Sequence, residues 1–565
     1  MNEAKEALLA ILARDPANRE ALIGLADLVE RAGYLPEACG LLTEAGRLYP
    51  EDAKIAALRG GVLARAGDLP EARASFELAR YLAPQDRAIR RKYAEALAGA
   101  EQFFGDVAFS EAWRLEEKER YAEARRAYLT ILARDRTHLG ALVNLGTIHL
   151  RYQRRTLARL MYLRAVAAHP AARIARINLA RLIIEETPEL ARVQFEALIA
   201  ADPDDVEGLA GLARLAEDRG DFAAARDFRA RAVRKRRIIF SHYSGSGRPL
   251  RMLLLETADD GNVPLPLVLD RRRFLMAALA VEAFDPRQPL PPHDLVLNTI
   301  GDADRCAAAL ALAEAILAQT KAPLINAPAA VLATTRARNA RRLRTIEGVI
   351  TPRIVRTARA DFLGEDGARR VLGRGFSFPL LLRAPGFHTG KYFVEVRDAA
   401  DFPAAVRAMP GDDVLVLERL DASGPDGKVR KYRAIAVDGT LYPLHAAIST
   451  NWKVHYFSAD MTASAEHRAE DEAFLADMPG TLGPRAMAAL EGIVAALGLD
   501  YAGIDFGLDR AGNVLVFEAN ATMLVPPAGT DPRFAYRKPA IERIVVAAQT
   551  MIFTRAGVRV NPPRA

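Results

Sequence analysis

Three oxygen-bearing side chains far along the chain have the spacing of a divalent-cation site. Asp505 lies in the apolar run 501–508 (YAGIDFGL). A turn at 509–512 (DRAG) leads into a second run at 513–523 (NVLVFEANATM). Two such runs across a Gly-containing turn predict a hairpin. Pairing places Asp505 opposite the end that carries Glu518 and Asn520. These two are two residues apart on one strand, so they share a face. Magnesium prefers oxygen ligands and commonly takes one or two carboxylates, completed by water and phosphates. Two carboxylates left close together repel, and a divalent cation removes that cost. A surface hairpin with incidental acids is the bland alternative. An Asn directly after an acid-containing apolar strand speaks against it.

The pattern resembles the metal-binding end of the ATP-grasp superfamily. The resemblance implies that Asp505, Glu518 and Asn520 hold magnesium, with manganese as an alternative, against the phosphates of ATP. It covers residues 250–550, with further motifs in the family's order. Residues 378–383 (FPLLLR) are similar to the strand that presents a cation to the phosphates, with Arg383 where Lys is usual. A guanidinium keeps the charge but replaces a point charge by a fork. Residues 385–391 (PGFHTGK) resemble the short loop that folds over the phosphates, which implies His388, Thr389 and Gly390 as nucleotide contacts. Residues 414–420 (VLVLERL) are similar to the hinge that meets adenine, which implies Glu418 and the backbone of Arg419 and Leu420.

Upstream, 324–328 (LINAP) and 334–336 (TTR) resemble the start of the nucleotide-binding lobe. Arg336 stands for the usual Lys, with the register to Arg338 open. Lys431, Tyr432 and Arg433 resemble the Asp-x-Arg of the RimK-like and glutathione synthetase-like branch, with Lys in place of Asp. The likeness implies that Arg433 faces the phosphates or an acyl phosphate. Lys453 and His455 are two apart and share a face if 451–456 (NWKVHY) is a strand. They then contact substrate or phosphate, or the segment is structural. His445 and Ser449 match no family position. Residues 298–304 (NTIGDAD) follow an apolar run and precede a helical one, a place that suits ligands.

Positioning these groups requires strands. Short apolar runs at 251–256, 265–270, 294–298, 378–383, 414–418, 432–437 and 514–518 predict them, with helical patterns such as 304–320 between. Strand–helix alternation argues for a small α/β domain over 237–322. Gly-containing turns such as 437–440 (VDGT) predict antiparallel pairing in an ATP-grasp domain over 323–555. Residues 556–565 are left as a tail.

Residues 1–236 have a different grammar. Pro16, Pro50 and Pro84 recur at intervals of 34, as do Gly33 with Gly67 and Ala38 with Ala72. Ala124, Ala158, Ala191 and Ala225 follow at 34, 33 and 34. The longer gap from Ala72 to Ala124 predicts an irregular segment near 103–119. Paired amphipathic helices at this period resemble the tetratricopeptide repeat (TPR). The small Ala lets two helices approach, Gly allows the tight turn, and Pro opens the next unit. One repeat cannot bury its face alone, so about six should stack. The resemblance implies a superhelix whose groove holds a peptide or protein; an unused groove on a pure scaffold is the alternative.

Bulk properties exclude some classes. The 565 residues carry 78 basic and 71 acidic side chains, net +7. Basic clusters at 231–237 (RAVRKRR) and 336–344 (RARNARRLR) are better explained by a helix end and by phosphates or solvent than by nucleic acid. No apolar run is long enough to span a bilayer. The charged N-terminus and two distant cysteines outside any CxxC motif, Cys39 and Cys306, predict a cytoplasmic protein with buried thiols. The expectation is multidomain: an all-α TPR superhelix, a small α/β domain and an ATP-grasp fold. Its activity would be an ATP-dependent carboxylate–amine (or thiol) ligase acting on small-molecule substrates, with ADP and phosphate released. A non-catalytic ATP-binding scaffold or a phosphotransferase of the same fold stays open.

Overall fold

The computed structural model describes residues 2–558, except 67, 87, 90–106, 118–119, 236–237, 242, 260, 365, 386–391, 455–459 and 530. It divides into two compact units. One comprises Met1–His242 with Ala283–Pro292, and the other Tyr243–Glu282 with His293–Ala565.

The first unit is helical. A lone helix, Asn2–Arg14, precedes Arg19–Arg31 with Leu35–Leu48 and Ala53–Arg65 with Leu69–Leu82. Then come Val107–Glu117 with Tyr121–Arg134, Leu139–Arg151 with Arg155–Ala168, Arg173–Ile183 with Pro188–Ala201, and Val206–Asp218 with Phe222–Lys235. Strand β1 (Ile238–Phe240) follows. Six helix pairs are thus present among the described residues, as the period implies. Each recurring alanine is buried: Ala38, Ala124, Ala158 and Ala191 are at 0%, Ala72 at 2% and Ala225 at 1% exposure. Their lack of a longer side chain is what lets the helices close. Gly33 and Gly220 adopt φ of 88° and 82° in the turns, where L side chains are strained.

Two expectations are corrected here. The periodic prolines do not open helices. Pro16, Pro50, Pro170 and Pro203 sit in the turn two residues ahead of the cap, while Pro36, Pro70 and Pro188 occupy the first helical turns. The caps are Asn18, Asp52 and Asp205, whose side chains accept from the first-turn amides, each worth about 1 kcal/mol. Asp52 and Asp205 also take an arginine one repeat upstream, Arg19 and Arg173, both at 2.5 Å. Secondly, residues 107–117 of the expected irregular segment are helix.

The second unit holds three groups of strands. β2 (Leu250–Glu256), β3 (Phe274–Ala280), β4 (Leu295–Asn298) and β5 (Leu324–Ile325) are parallel in the order β3-β2-β4-β5. The run 265–270 is not a strand. Pro264 and Pro266 remove ladder donors, and the amides of Val268 and Leu269 turn back to the Leu265 carbonyl. The strand is instead β3, whose alanine-rich sequence hid it.

The second sheet is antiparallel: β7 (Ile354–Ala358), β10 (Asp413–Glu418), β8 (Leu380–Arg383) and β9 (Phe393–Val396), in that order. The third runs β12 (Thr440–Ser449), β11 (Val429–Val437), β13 (Tyr501–Leu508), β14 (Val514–Asn520), β6 (Val349–Ile350), antiparallel except for β14 with β6. Asp438 and Gly439, at φ 47° and 80°, make the two-residue turn between β11 and β12. Cys306 is buried and Cys39 partly so. No helix among the described residues is long and apolar enough to cross a membrane.

If buried alanines set the helix spacing, Ala158→Leu should lower stability by about 1–3 kcal/mol through overpacking. Thermal unfolding followed by far-UV circular dichroism checks this, and an unchanged midpoint would contradict it.

Candidate functional site

The third sheet aligns four polar residues in one cross-strand row. His445 of β12 is the register partner of Arg433 of β11. Arg433 faces Asp505 of β13, and Asp505 faces Glu518 of β14. Lys431 and Asn520 are each two residues along their strands, on the same face. The expected hairpin therefore forms, and Asp505, Glu518 and Asn520 converge.

Asp505 has no solvent exposure. Arg433 grips it with two donors, Nε to Oδ1 at 2.5 Å and Nη2 to Oδ2 at 2.8 Å. Lys431 Nζ lies 2.6 Å from Oδ2. Burial alone would push this carboxyl up; Lys431 and Arg433 outweigh that and hold it well below the usual carboxylate range. His445 is buried beside the same arginine. Burial first, then Arg433, keep its imidazole well below its ordinary pKa, so it is neutral at pH 7.

Glu518 is held from another direction. Arg336, the first residue of the helix Arg336–Leu343, donates Nη2 to Glu518 Oε1 at 2.6 Å. Its backbone N and Nη1 donate to Asp304 Oδ2 at 3.1 and 3.2 Å. One arginine thus bridges the loop after β4 and the end of β14. Asn520 donates Nδ2 to Glu518 Oε1 at 3.0 Å, and its Oδ1 accepts from the Thr522 amide and hydroxyl. Burial raises the Glu518 pKa, but Arg336 and Arg383 more than reverse it.

Arg383, at the end of β8, stacks over Phe393 at 5.6 Å from the ring centroid. Burial, then the charge of Arg336, lower its pKa, against Glu518, Asp302 and Asp304. Lys453 donates Nζ to the Phe393 carbonyl at 3.0 Å, and burial together with Arg383 lowers its pKa. Residues 451–453 are a bend, so the condition of a strand is not met there. Trp452 packs edge-on against Phe393. His455 lies outside the described residues, as do His388, Thr389 and Gly390. Glu418 closes β10, exposed, with Oε2 accepting from the Arg353 amide at 3.1 Å. Arg419 pairs with Glu395 at 2.6 Å, and Leu420 packs on the cluster around Ala422 and Val429.

Several positioning residues escaped the sequence reading. Asn326, at φ 59°, bonds both the N–H and the C=O of Tyr501, as a neighbouring strand would. Asn339 Nδ2 takes the Ala519 carbonyl at 2.5 Å. Asp471, fully buried, accepts from the Ala446 amide, Tyr536 and Arg537, and so fixes β12 beside His445. Asp304 and Lys431 were visible as charged neighbours of flagged motifs, but their partners are far away in sequence.

Two carboxylates and an amide on one face fit magnesium in kind. Among the described residues no group of three or more His, Cys, Asp and Glu side chains is arranged for a metal, so a cation here relies on Asn520, water or phosphate as well. Around the row stand five cations (Arg336, Arg383, Lys431, Arg433, Lys453) and four carboxylates (Asp302, Asp304, Asp505, Glu518). A groove of about 690 Å³ lies away from the row, at the β11–β12 turn against the helix Lys538–Arg555.

Comparison with known proteins matches the tetratricopeptide repeat family to residues 40–87 and 187–237, within the helical unit. No curated protein matches the chain. Among solved structures, a RimK domain protein ATP-grasp from Sphaerobacter thermophilus is 16% identical. It covers 54% of this chain and 99% of its own, with a TM-score of 0.33. The VanG D-Ala:D-Ser ligase from Enterococcus faecalis is 15% identical, covering 48% and 75%, at 0.31. YrrB, a TPR protein with an unusual peptide-binding site, is 16% identical, covering 41% and 94%, at 0.17. The chain thus joins a helical unit carrying tetratricopeptide repeats to a unit of mixed sheets and helices.

Proposed function

We propose that residues 250–550 act as an ATP- and magnesium-dependent carboxylate–amine (or thiol) ligase of the ATP-grasp type. The repeats at 1–236 would recruit a peptide or protein, as partner or as substrate. In this reading 237–322 is the small preceding domain, 323–555 the catalytic domain and 556–565 a tail, in a cytoplasmic enzyme. The observation that carries it is the in-register row Arg433–Asp505–Glu518, with Asn520 beside it and Arg336 and Arg383 brought to it from separate elements. Such a concentration of fixed charge suits a polyphosphate with a divalent ion.

In this reading Asp505, Glu518 and Asn520 would hold the ion, which neutralises phosphate charge when bound. Arg336 and Arg383 bind phosphate oxygens. A substrate carboxylate oxygen attacks the γ-phosphorus and ADP departs. An amine or thiol then attacks the acyl carbon and phosphate leaves. Arg433 stabilises the charge that develops on the acyl phosphate, with Lys453 as a further contact. Glu418, Arg419 and Leu420 meet adenine, and His388, Thr389 and Gly390 cover the phosphates. His455 would assist at the acceptor. A binding-only protein is the second reading. It is favoured by the hold of Lys431 and Arg433 on Asp505, which pairs both carboxylate oxygens within the protein.

ADP release with pooled carboxylic acids and amines should depend on magnesium and fall about 100-fold or more in Glu518→Gln. No turnover with any pool, together with a higher melting temperature in ATP, would support binding alone; phosphate retained on an acceptor would indicate phosphotransfer.

The Arg433 pairing also has a pH signature. Asp505 is depressed in the folded state, so it contributes stability above its unfolded pKa of about 4 and loses it as pH falls. Arg433→Met should cost about 3–5 kcal/mol at pH 7, as expected for breaking a buried pair. The gap from wild type should narrow toward pH 3. Urea unfolding at both pH values tests this, and a constant gap refutes the pairing.

A further inference from the structure

A second polar site lies in the helical unit, independent of the ligase reading. A cavity of about 500 Å³ opens between the helices Tyr121–Arg134 and Arg155–Ala168, the second helices of two successive repeats. The first helix between them, Leu139–Arg151, contributes Leu145 and His149. Leu132, Leu145, Met161 and His149 are buried and form the floor. Leu129, Ala133, Arg136 and Arg164 line the rim, and Leu129 is 48% exposed.

Two features of this pocket are hard to account for by packing alone. His149 is 8% exposed, yet its Nδ1 has no hydrogen-bond partner. A buried polar atom left so costs free energy. Burial, followed by Arg154 and Arg125, lowers the pKa of this imidazole. The second feature is charge. The eight lining residues include two arginines and a histidine but no carboxylate. Arg164 spends one donor on the Arg136 carbonyl at 2.9 Å and keeps the others. Next to the rim, Leu157, Leu160 and Leu163 of the same second helix are 41–48% exposed. A mainly apolar floor under a rim whose charged lining residues are both arginines is complementary to one kind of occupant.

We propose that this pocket docks an acidic segment of a partner protein, with one bulky apolar side chain on the floor and an adjacent carboxylate between Arg136 and Arg164. The imidazole of His149 then lies on the floor beneath the apolar side chain, and the leucines of the second helix cover the rest of the segment. Most of its lining comes from the second helices and the turn after the first of them, with Leu145 and His149 added by the first helix between. A second copy of this chain or a small amphiphile would use the same apolar floor without needing the arginines, which is how the cases are told apart.

Fluorescence anisotropy on the full chain can test it with short labelled peptides that carry a central Leu or Phe flanked by Glu. Acidic peptides should bind, and binding should weaken as salt rises. Lys-flanked peptides and peptides with Ser at the centre should not bind. Arg136→Glu and Leu129→Glu, both at exposed rim positions, should each weaken binding by about tenfold or more, with unchanged circular dichroism. Should Arg136→Glu disturb folding, Arg136→Gln with the same salt series provides the readout. Equal binding of Lys-flanked peptides, or no effect of the Arg136 substitutions, overturns the proposal. Self-association in sedimentation that Leu129→Glu abolishes, without peptide binding, assigns the face to a second copy and overturns it too.

Discussion

A carboxylate without access to water lies in the middle of a five-stranded sheet, and much of the second unit is arranged around its charge. Stripping water from an ion costs several kcal/mol even after relaxation. Asp505 meets that cost with Arg433 directly across the ladder and Lys431 one strand step away. The compensation works only if β11 lies beside β13, so the strand order is part of the electrostatics. The same order puts Glu518 on the other side of Asp505. Two like charges are then neighbours by construction. The second needs its own cation, which Arg336 supplies from outside the sheet.

That cation comes from 182 residues away. It also holds Asp304, so the loop after β4 and the end of β14 share one side chain. Arg383 enters from the second sheet, where Phe393 supports its guanidinium and Lys453 is tied to the Phe393 backbone. Arg336, Arg383 and Lys453 each have a contact beyond Glu518 and Asp505. A site built this way keeps its donors in place when a carboxylate changes partner, which is the preorganisation that binding a polyanion demands.

The legible part of the sequence is the part with a period or a turn signal. The 34-residue repeat of Ala, Gly and Pro located the helix pairs, and the Asp438–Gly439 turn located the β11–β12 hairpin. Asp505, Glu518 and Asn520 were found because alternation on a strand fixes which side chains share a face. What failed had other causes. The prolines around 264–266 broke a run that composition alone made look like a strand. The alanines of β3 carry little strand preference, and burial on a parallel sheet decided its state instead. The segment of Lys453 had no turn or alternation signal that decided between strand and bend, and it is a bend beside the Trp452–Phe393 contact. Asn326, Asn339 and Asp471 left no local signal. Each bonds backbone distant in sequence, as Asn326 and Asn339 do with Tyr501 and Ala519, and only the folded chain brings those partners near.

Asn326 shows what such a contact controls. Its amide pairs with both backbone groups of Tyr501, while its own N–H takes Asp500 Oδ2 at 2.8 Å. It therefore pegs the first residue of β13 at a fixed point. In a strand, sliding by one residue inverts every side chain. Asp505 would leave the charged face together with the pairing that Arg433 and Glu518 depend on, and an apolar neighbour would take its place. The charged face is thus a matter of phase, and a single asparagine, bonded to the backbone four residues ahead of the strand's central charge, sets the zero of that phase.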